Sequence, residues 1–200
     1  MNAIVMVDNN GYIGANGELL YIIPEDKKYF KEMTIGKTVI MGRKTFESLP
    51  NKRPLSDRRN VVITHDLNFH PGNGVEVIHS IDDVQRYYDN PSTFIIGGAS
   101  LYEALIPLCH LIYVTRIDAS LYDEHEVDTV FPYFDKETTM SKYPNPEYSW
   151  ELFSKEHLRV AYLLPKDFDD ESRYVTINGE RMLDGRVDGC DFMIFRRTRL

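Results

Sequence analysis

Three stretches and two isolated residues are of types that could do chemistry. Thr38–Leu49 (TVIMGRKTFESL) passes from an apolar, β-branched run through Gly42 into Arg43, Lys44 and Thr45. The start of a helix offers unpaired N–H groups and a positive dipole end, so two cations and a hydroxyl added there suit phosphate. Solvated first-turn side chains are the plain alternative, but cations are mildly unfavourable there unless an anion visits. Ile95-Ile96-Gly97-Gly98-Ala99-Ser100 repeats the strand–glycine–helix arrangement, and glycine lets backbone approach a diphosphate closely. This is not G-x-G-x-x-G, and a tight turn packed on a sheet explains it equally well taken alone. Thr64-His65 ends another apolar run, placing a hydroxyl and an imidazole where open α/β sheets bind ligands. Asp26 follows Pro24-Glu25 as a first-turn acid, which the helix dipole alone accounts for and spacing alone favours. The case for function is the long loop that feeds into it. Thr115 interrupts the apolar run Leu111–Ile117, where a threonine bonded within its own sheet is the plain reading.

Alternating elements must position these residues. Ala3–Val7 reads as a buried strand that breaks at Asp8-Asn9-Asn10-Gly11, and Tyr12–Ile23 as a long loop. A helix follows from Pro24 to about Thr34, with Tyr29, Phe30 and Met33 as its apolar stripe. Thr38–Met41 is a strand, and Phe46 and Leu49 mark the helix after it. Pro50–Asn60 is a surface loop with four cations. Val61–Thr64 and Val75–Ile78 are strands, and Ser80 caps a helix that runs through Val84 and Tyr87. Strand Thr93–Ile96 leads to a helix with Ser100 and Glu103 at capping-box spacing, carrying Leu101, Tyr102, Leu105 and Ile106. Leu111–Ile117 is a strand, and Trp150–Phe153 and Cys190–Arg196 are two late antiparallel neighbours. Alternation of this kind gives a mostly parallel sheet with helices on both faces. Between the last two strands lies an insert at 161–190 with a possible hairpin, Tyr174–Asn178 and Arg181–Val187, to which no chemistry is assigned.

Bulk properties narrow the classes. Two hundred residues suffice for one domain with a sizeable core. A net charge of −8 with no local basic patch argues against a general nucleic-acid role. Two distant cysteines argue against a disulfide scaffold or a zinc site. The start MNAIVMVDNN has neither the charged beginning nor the long apolar run of a signal peptide, and no membrane span is present, so a cytoplasmic protein is expected.

The motifs Gly11-Tyr12-Ile13-Gly14, Pro24-Glu25-Asp26 with Tyr29-Phe30, and Val39-Ile40-Met41-Gly42-Arg43-Lys44-Thr45-Phe46-Glu47-Ser48 occur in a shared order. Arg53-Pro54-Leu55, Arg58-Arg59-Asn60, Ile95-Ile96-Gly97-Gly98 with Tyr102, and Thr115-Arg116-Ile117 continue it. Together they resemble the dihydrofolate reductase family, through residues 1–160 and again at 190–198. Each motif is weak alone; their common spacing is specific. The resemblance implies a single α/β domain over 1–200 with the added insert. Its sheet would be eight-stranded and mostly parallel, with an antiparallel C-terminal edge strand and about four flanking helices.

It also implies NADPH-dependent reduction of dihydrofolate, and a role for each matching residue. Asp26 would be the one ionisable side chain in the pterin pocket, its pKa raised by burial, with Thr115 holding it and, through water, the pterin. Tyr21 stands where the family usually has tryptophan and would donate toward the water near Asp26. Val5, Phe30, Leu49, Leu55 and Ile96 would wall the substrate groove, and Arg58 would clamp the glutamate carboxylate. Met6, Ile13, Gly14, Ile96 and Tyr102 would surround the nicotinamide. Gly97, Gly98, Ala99, Ser100 and Leu101 would take the diphosphate, with a cis Gly97–Gly98 peptide. Gly42, Arg43, Lys44 and Thr45 would share the phosphates, and Arg43, Thr64, His65 and His79 would meet the adenosine end and its 2′-phosphate. Residues 9–23 become a mobile lid steadied by Asp128. No metal, nucleic acid or membrane enters; antifolates are expected ligands and a monomer the expected state. Leu20-Tyr21 and Lys27 depart from the family pattern. Two other readings are a relative reducing the deaminated pyrimidine of riboflavin synthesis and a non-catalytic dinucleotide- or antifolate-binding protein. The first should lack the Asp26, Phe30, Thr115 and Arg58 set; the second would bind NADPH without turnover.

Overall fold

The computed structural model describes residues 1–118, 127–135, 148–158, 174–177, 180–183 and 189–199. In chain order the elements are β1 (Asn2–Val7), β2 (Tyr12–Ala15), β3 (Glu18–Leu19), α1 (Pro24–Thr34), β4 (Thr38–Gly42) and α2 (Arg43–Ser48). Next come β5 (Arg59–Ile63), β6 (Val75–Ile78), β7 (Thr93–Ile95), α3 (Ala99–Leu105), β8 (Leu111–Ile117) and β9 (Thr129–Val130). The last are β10 (Tyr148–Leu158), β11 (Tyr174–Ile177), β12 (Glu180–Leu183) and β13 (Cys190–Arg199). Short 3-10 turns occupy Pro50–Lys52, Ile81–Tyr87 and Ile106–Leu108.

Eight strands form one sheet in the order β10-β13-β8-β1-β7-β4-β5-β6. Contacts from β8 through β6 are parallel, and β13 runs antiparallel to both β8 and β10. The C-terminal strand is therefore antiparallel, as expected, but lies one place in from the edge. Burial gives the reason. Phe192, Met193 and Phe195 of β13 are buried, so the strand needs neighbours on both sides, whereas Glu151–His157 of β10 is exposed and tolerates the edge.

Strand alternation sends side chains to two helical layers. Ala3, Val5 and Val7 of β1 share a cluster with Leu101, Tyr102 and Leu105 of α3, and with Ile112, Val114 and Met193. Ile4 faces the other way, with Phe94 and Tyr113, against Tyr29, Phe30 and Met33 of α1. Ile40, Val61, Ile95 and Ile112 are fully buried, each worth about 1.5–3 kcal/mol of apolar burial.

Several elements depart from the sequence reading. The expected loop 12–23 is partly a hairpin, with β2 paired to β3 and to β9. Asn16 and Gly17 at its tip hold positive φ of 52° and 80°, the geometry a tight reversal requires. Ser100 and Glu103 form no capping box: α3 starts at Ala99 with Gly98 as its N-cap, and no side chain caps it. Ser80 does cap, its Oγ accepting from Asp82 N–H at 3.1 Å, but the turn it starts is 3-10 rather than α. The hairpin in the insert is present as β11 paired with β12, the second strand beginning at Glu180. Residues 178–179 and the rest of the insert up to 188 lie outside the described residues, as do residues 119–126. Among the described residues no helix is long and apolar enough to cross a membrane.

Candidate active site

The chemistry-bearing residues gather at the carboxyl ends of β1, β4, β5, β7 and β8, where parallel strands stop and helices begin. Buried hydrophobic runs carry the chain there, and glycine ends two of them. Gly42 N–H donates to Gly97 O at 2.8 Å, so the two glycine turns face each other across the sheet. Gly97 has φ +114° and the Gly97–Gly98 peptide is cis. A Cβ on Gly97 would lie 3.4 Å from the Tyr102 hydroxyl, and one on Gly98 would lie 3.4 Å from Thr45 Oγ1. Neither α2 nor α3 has a side-chain cap, so first-turn N–H groups at Arg43-Lys44-Thr45 and at Ala99-Ser100 are presented to an anion, while Leu101 N–H already donates to Gly98 O at 3.0 Å. This cradle fits the phosphates of a dinucleotide.

At the neighbouring strand end, Thr64 is buried and His65 exposed, and His79 Nδ1 lies 2.9 Å from Thr64 O. Arg43 is not free here. Its Nε donates to Glu47 at 2.8 Å, its Nη1 meets Asp66 Oδ2 at 2.5 Å, and its guanidinium stacks 5.1 Å from the Phe69 ring centre. Asp66 is held by its own turn, Oδ1 accepting from Asn68 N–H at 2.9 Å. Sequence reasoning passed over Asp66, although it directly follows Thr64-His65.

Asp26 sits in the first turn of α1, which Pro24 opens. Desolvation raises its pKa, opposed by the Thr115 hydroxyl and, more weakly, by the Lys27 charge. Lys27 itself is exposed. Thr115 is buried on β8, directly opposite Met6 of β1, and Val114 is opposite Val5. Thr115 Oγ1 is close enough to Asp26 to affect it, yet has no partner in good hydrogen-bond geometry. A buried hydroxyl in that condition is costly unless a ligand or water completes it. Asp26 and Thr115 are thus brought together, as the sequence reading expected.

Two apolar clusters line the strand ends, one of them packed against α1, the helix that carries Asp26. Phe30 and Met33 pack with Ile4 and Phe94; Leu49 and Leu55 pack with Val39 and Phe46; Ile96 belongs to both clusters and joins them. Phe30, Leu49, Leu55 and Ile96 are all only half-buried, leaving apolar surface for a planar ligand. Arg58 is fixed at the rim: Nε donates to Thr34 Oγ1 at 2.9 Å, Nη1 to Ser56 O at 2.8 Å, and Cζ lies 5.9 Å from the Phe30 ring centre. Tyr102 donates to Ile4 O at 2.8 Å, binding α3 to β1 beside the cradle.

The β2–β3 hairpin is tied down at its tip. Asn16 N–H donates to Asp128 Oδ2 at 2.9 Å and Asp128 N–H to Gly14 O at 3.3 Å, the pairing expected of Asp128. Ile13 of β2 is buried in the main core. Between this tip and α2 lies an open space of about 540 Å³, bordered by Asn16, Glu18, Lys44, Glu47, Lys52 and Asp128. Its charged lining distinguishes it from the apolar surface of Phe30, Leu49, Leu55 and Ile96. At the base of the hairpin the Tyr21 hydroxyl donates to Asp8 Oδ2 at 3.4 Å, not toward Asp26 as the resemblance implied. In the sequence Asp8 reads only as turn chemistry, since an acid closing an apolar strand looks like a simple break.

The sequence profile of the family described as "Dihydrofolate reductase" matches residues 1–151. Dihydrofolate reductase of Bacillus subtilis (strain 168) is 39% identical over 169 residues, 83% of this chain and 89% of that protein. The Staphylococcus aureus protein of the same name is 40% identical over 133 residues, 66% of this chain and 77% of its own length. Among solved structures, dihydrofolate reductase from Enterococcus faecalis complexed with NADP(H) and RAB-propyl aligns with a TM-score of 0.70 and 27% identity. That alignment covers 98% of this chain and 95% of the other.

Proposed function

The chain belongs to the dihydrofolate reductase family, and from that premise we propose how its own residues carry the NADPH-dependent reduction of dihydrofolate to tetrahydrofolate. The observation that carries the assignment is Asp26: a carboxyl with its pKa raised by burial, beside the incompletely bonded Thr115 hydroxyl, on the helix whose Phe30 and Met33 join an apolar cluster with Arg58 against Phe30. NADPH, when bound, supplies the hydride that goes to the pterin carbon adjacent to N5. The protein's part is to bind, orient and bias the proton.

Asp26 accepts from the ring N–H and the amino group of the pterin, and Thr115 completes its own hydrogen bonding there, partly through water. The Asp26 charge favours a proton at N5, which water admitted by the lid delivers. Val5, Phe30, Leu49, Leu55 and Ile96 hold the rings, and Arg58 takes the glutamate carboxylate with its fork. Met6, Ile13, Gly14, Ile96 and Tyr102 enclose the nicotinamide end. Gly42, Arg43, Lys44 and Thr45 share the phosphates with Gly97, Gly98, Ala99, Ser100 and Leu101. Arg43, Thr64, His65 and His79 meet the adenosine end, which requires Arg43 to exchange at least its Asp66 contact for the 2′-phosphate. Tyr21 acts from the base of the lid. The same groove takes antifolates, and we assign the protein to the cytoplasm as a single-domain monomer with an insert at 161–190.

The test is the loss of NADPH absorbance on adding dihydrofolate, run beside Asp26→Asn. Turnover that collapses in the variant supports both reaction and pocket. NADPH binding without turnover in the parent protein would remove the substrate half of the reading.

A further inference from the structure

Among the described residues Asp8 is the only Asp, Glu, Lys, Arg or His in the buried set, at 0% exposure, and the reaction does not use it. A carboxylate withdrawn from water needs donors. Asp8 Oδ1 accepts from Asn10 N–H at 2.8 Å and Tyr12 N–H at 2.9 Å, and Oδ2 accepts from the Tyr21 hydroxyl at 3.4 Å. Its backbone adds two more ties, Gly11 N–H to Asp8 O at 3.1 Å and Asp8 N–H to Tyr12 O at 3.2 Å. Burial pushes the Asp8 pKa up and these donors pull it back. The donors come from opposite ends of the lid: Asn10 and Tyr12 begin it, and Tyr21 ends it three residues before Pro24 opens α1. The Tyr21 ring is 1% exposed and packs with Ile23, Ile117 and Phe192, with Met6 against the same cluster. One carboxylate thereby fixes both feet of the hairpin, beside the strand that carries Met6 and the helix start that carries Asp26.

We propose that Asp8 is a positioning residue for hydride transfer: acting through Tyr21, it locks the two feet of the lid together and so sets the register of the lid against Met6 and Asp26. The inference rests on the dihydrofolate reductase reading above. A rigid base of this kind matters because small displacements of reacting groups cost large factors in rate. The Asp8–Tyr21 bond is one charged hydrogen bond, and its loss should read as about a tenfold fall, equivalent to about 1.4 kcal/mol.

Tyr21→Phe removes the hydroxyl and keeps the ring; Asp8→Asn keeps the shape and removes the charge. Single-turnover hydride transfer is followed with NADPH and its 4-deuterated form. In Tyr21→Phe we expect a transfer rate about tenfold lower with the isotope effect retained, a dihydrofolate KM within about threefold of the parent, and unchanged affinity for 2′,5′-ADP. Asp8→Asn should behave alike, and the double variant should be no slower than the slower single one, since the Tyr21 hydroxyl acts through the Asp8 charge. Transfer within twofold of the parent in Tyr21→Phe, or effects that multiply in the double variant, would overturn the proposal. A purely structural role would lower the melting temperature without changing the transfer rate of the folded protein. Should Asp8→Asn fail to fold, Tyr21→Phe decides alone. Should the parent protein not turn over at all, the functional reading fails instead, and amide exchange at Asn10 and Tyr12 decides the clamp: faster exchange in Tyr21→Phe sustains it, and unchanged exchange refutes it.

Discussion

Asp26→Asn separates the two consequences of burying a charge where a ligand will use it. The variant keeps the size and planarity of the side chain but cannot offer a charged acceptor to the pterin ring N–H and amino group. Each charge-assisted bond is worth roughly 1.5–3 kcal/mol, so losing the charge from both costs about 3–6 kcal/mol of transition-state stabilisation. That is roughly a 10²–10⁴-fold loss of kcat/KM. The free protein should respond the other way. Desolvation is the largest influence on the Asp26 pKa and raises it above 3.8. The folded state then binds the proton more tightly than the unfolded state, so this group is least costly below pH 3.8 and its stability contribution is lost as pH rises through the folded value. Replacing it with a neutral amide should therefore raise the melting temperature near pH 7, by about 2–4 °C for each kcal/mol relieved. The gain should shrink as pH falls toward 3.8. The assays are NADPH oxidation and calorimetric melting of both proteins from pH 4 to 8. Undiminished kcat/KM, or a variant less stable than the parent at neutral pH, would refute the reasoning.

Arg58→Leu should raise the dihydrofolate KM by about 30-fold while sparing pteroate, which lacks glutamate; an equal loss with both substrates would remove Arg58 as the clamp. Gly97→Ala forces a side chain onto φ +114°, 3.4 Å from the Tyr102 hydroxyl, which is engaged with Ile4 O. It should cost roughly 1–3 kcal/mol, about 2–12 °C in melting temperature, and weaken NADPH binding measured by titration calorimetry. Asp66→Asn frees Arg43 from an exposed ion pair and removes a negative charge near the expected 2′-phosphate. Affinity for 2′,5′-ADP should rise about 3–10-fold at low salt and affinity for 5′-AMP should not change; equal gains for both would show that Asp66 does not govern the phosphate.

Local physics made the frame legible. Short apolar runs ended by glycine fixed β4 and β7, the Pro24–Glu25–Asp26 start fixed α1, and their alternation forced a mostly parallel sheet with its ligand edge at the strand ends. The phosphate cradle could be read for the same reason, because strand, glycine and helix start are contiguous in sequence. Pairing Asp26 with Thr115 took the family resemblance, because no periodicity links positions so far apart. Where the chain lacked a local signal, tertiary contacts decided. The lid became a hairpin because β9, more than a hundred residues away, supplied its backbone partners. Gly98 rather than Ser100 became the cap of α3 once the sheet set where the helix begins. Asp66 became the partner of Arg43 only when β5 placed its turn beside α2. Asp8 shows the division most plainly: its sequence neighbours made it a turn residue, and only folding brought Tyr21 onto the same carboxylate, since burial and charge pairing depend on what arrives from elsewhere in the chain.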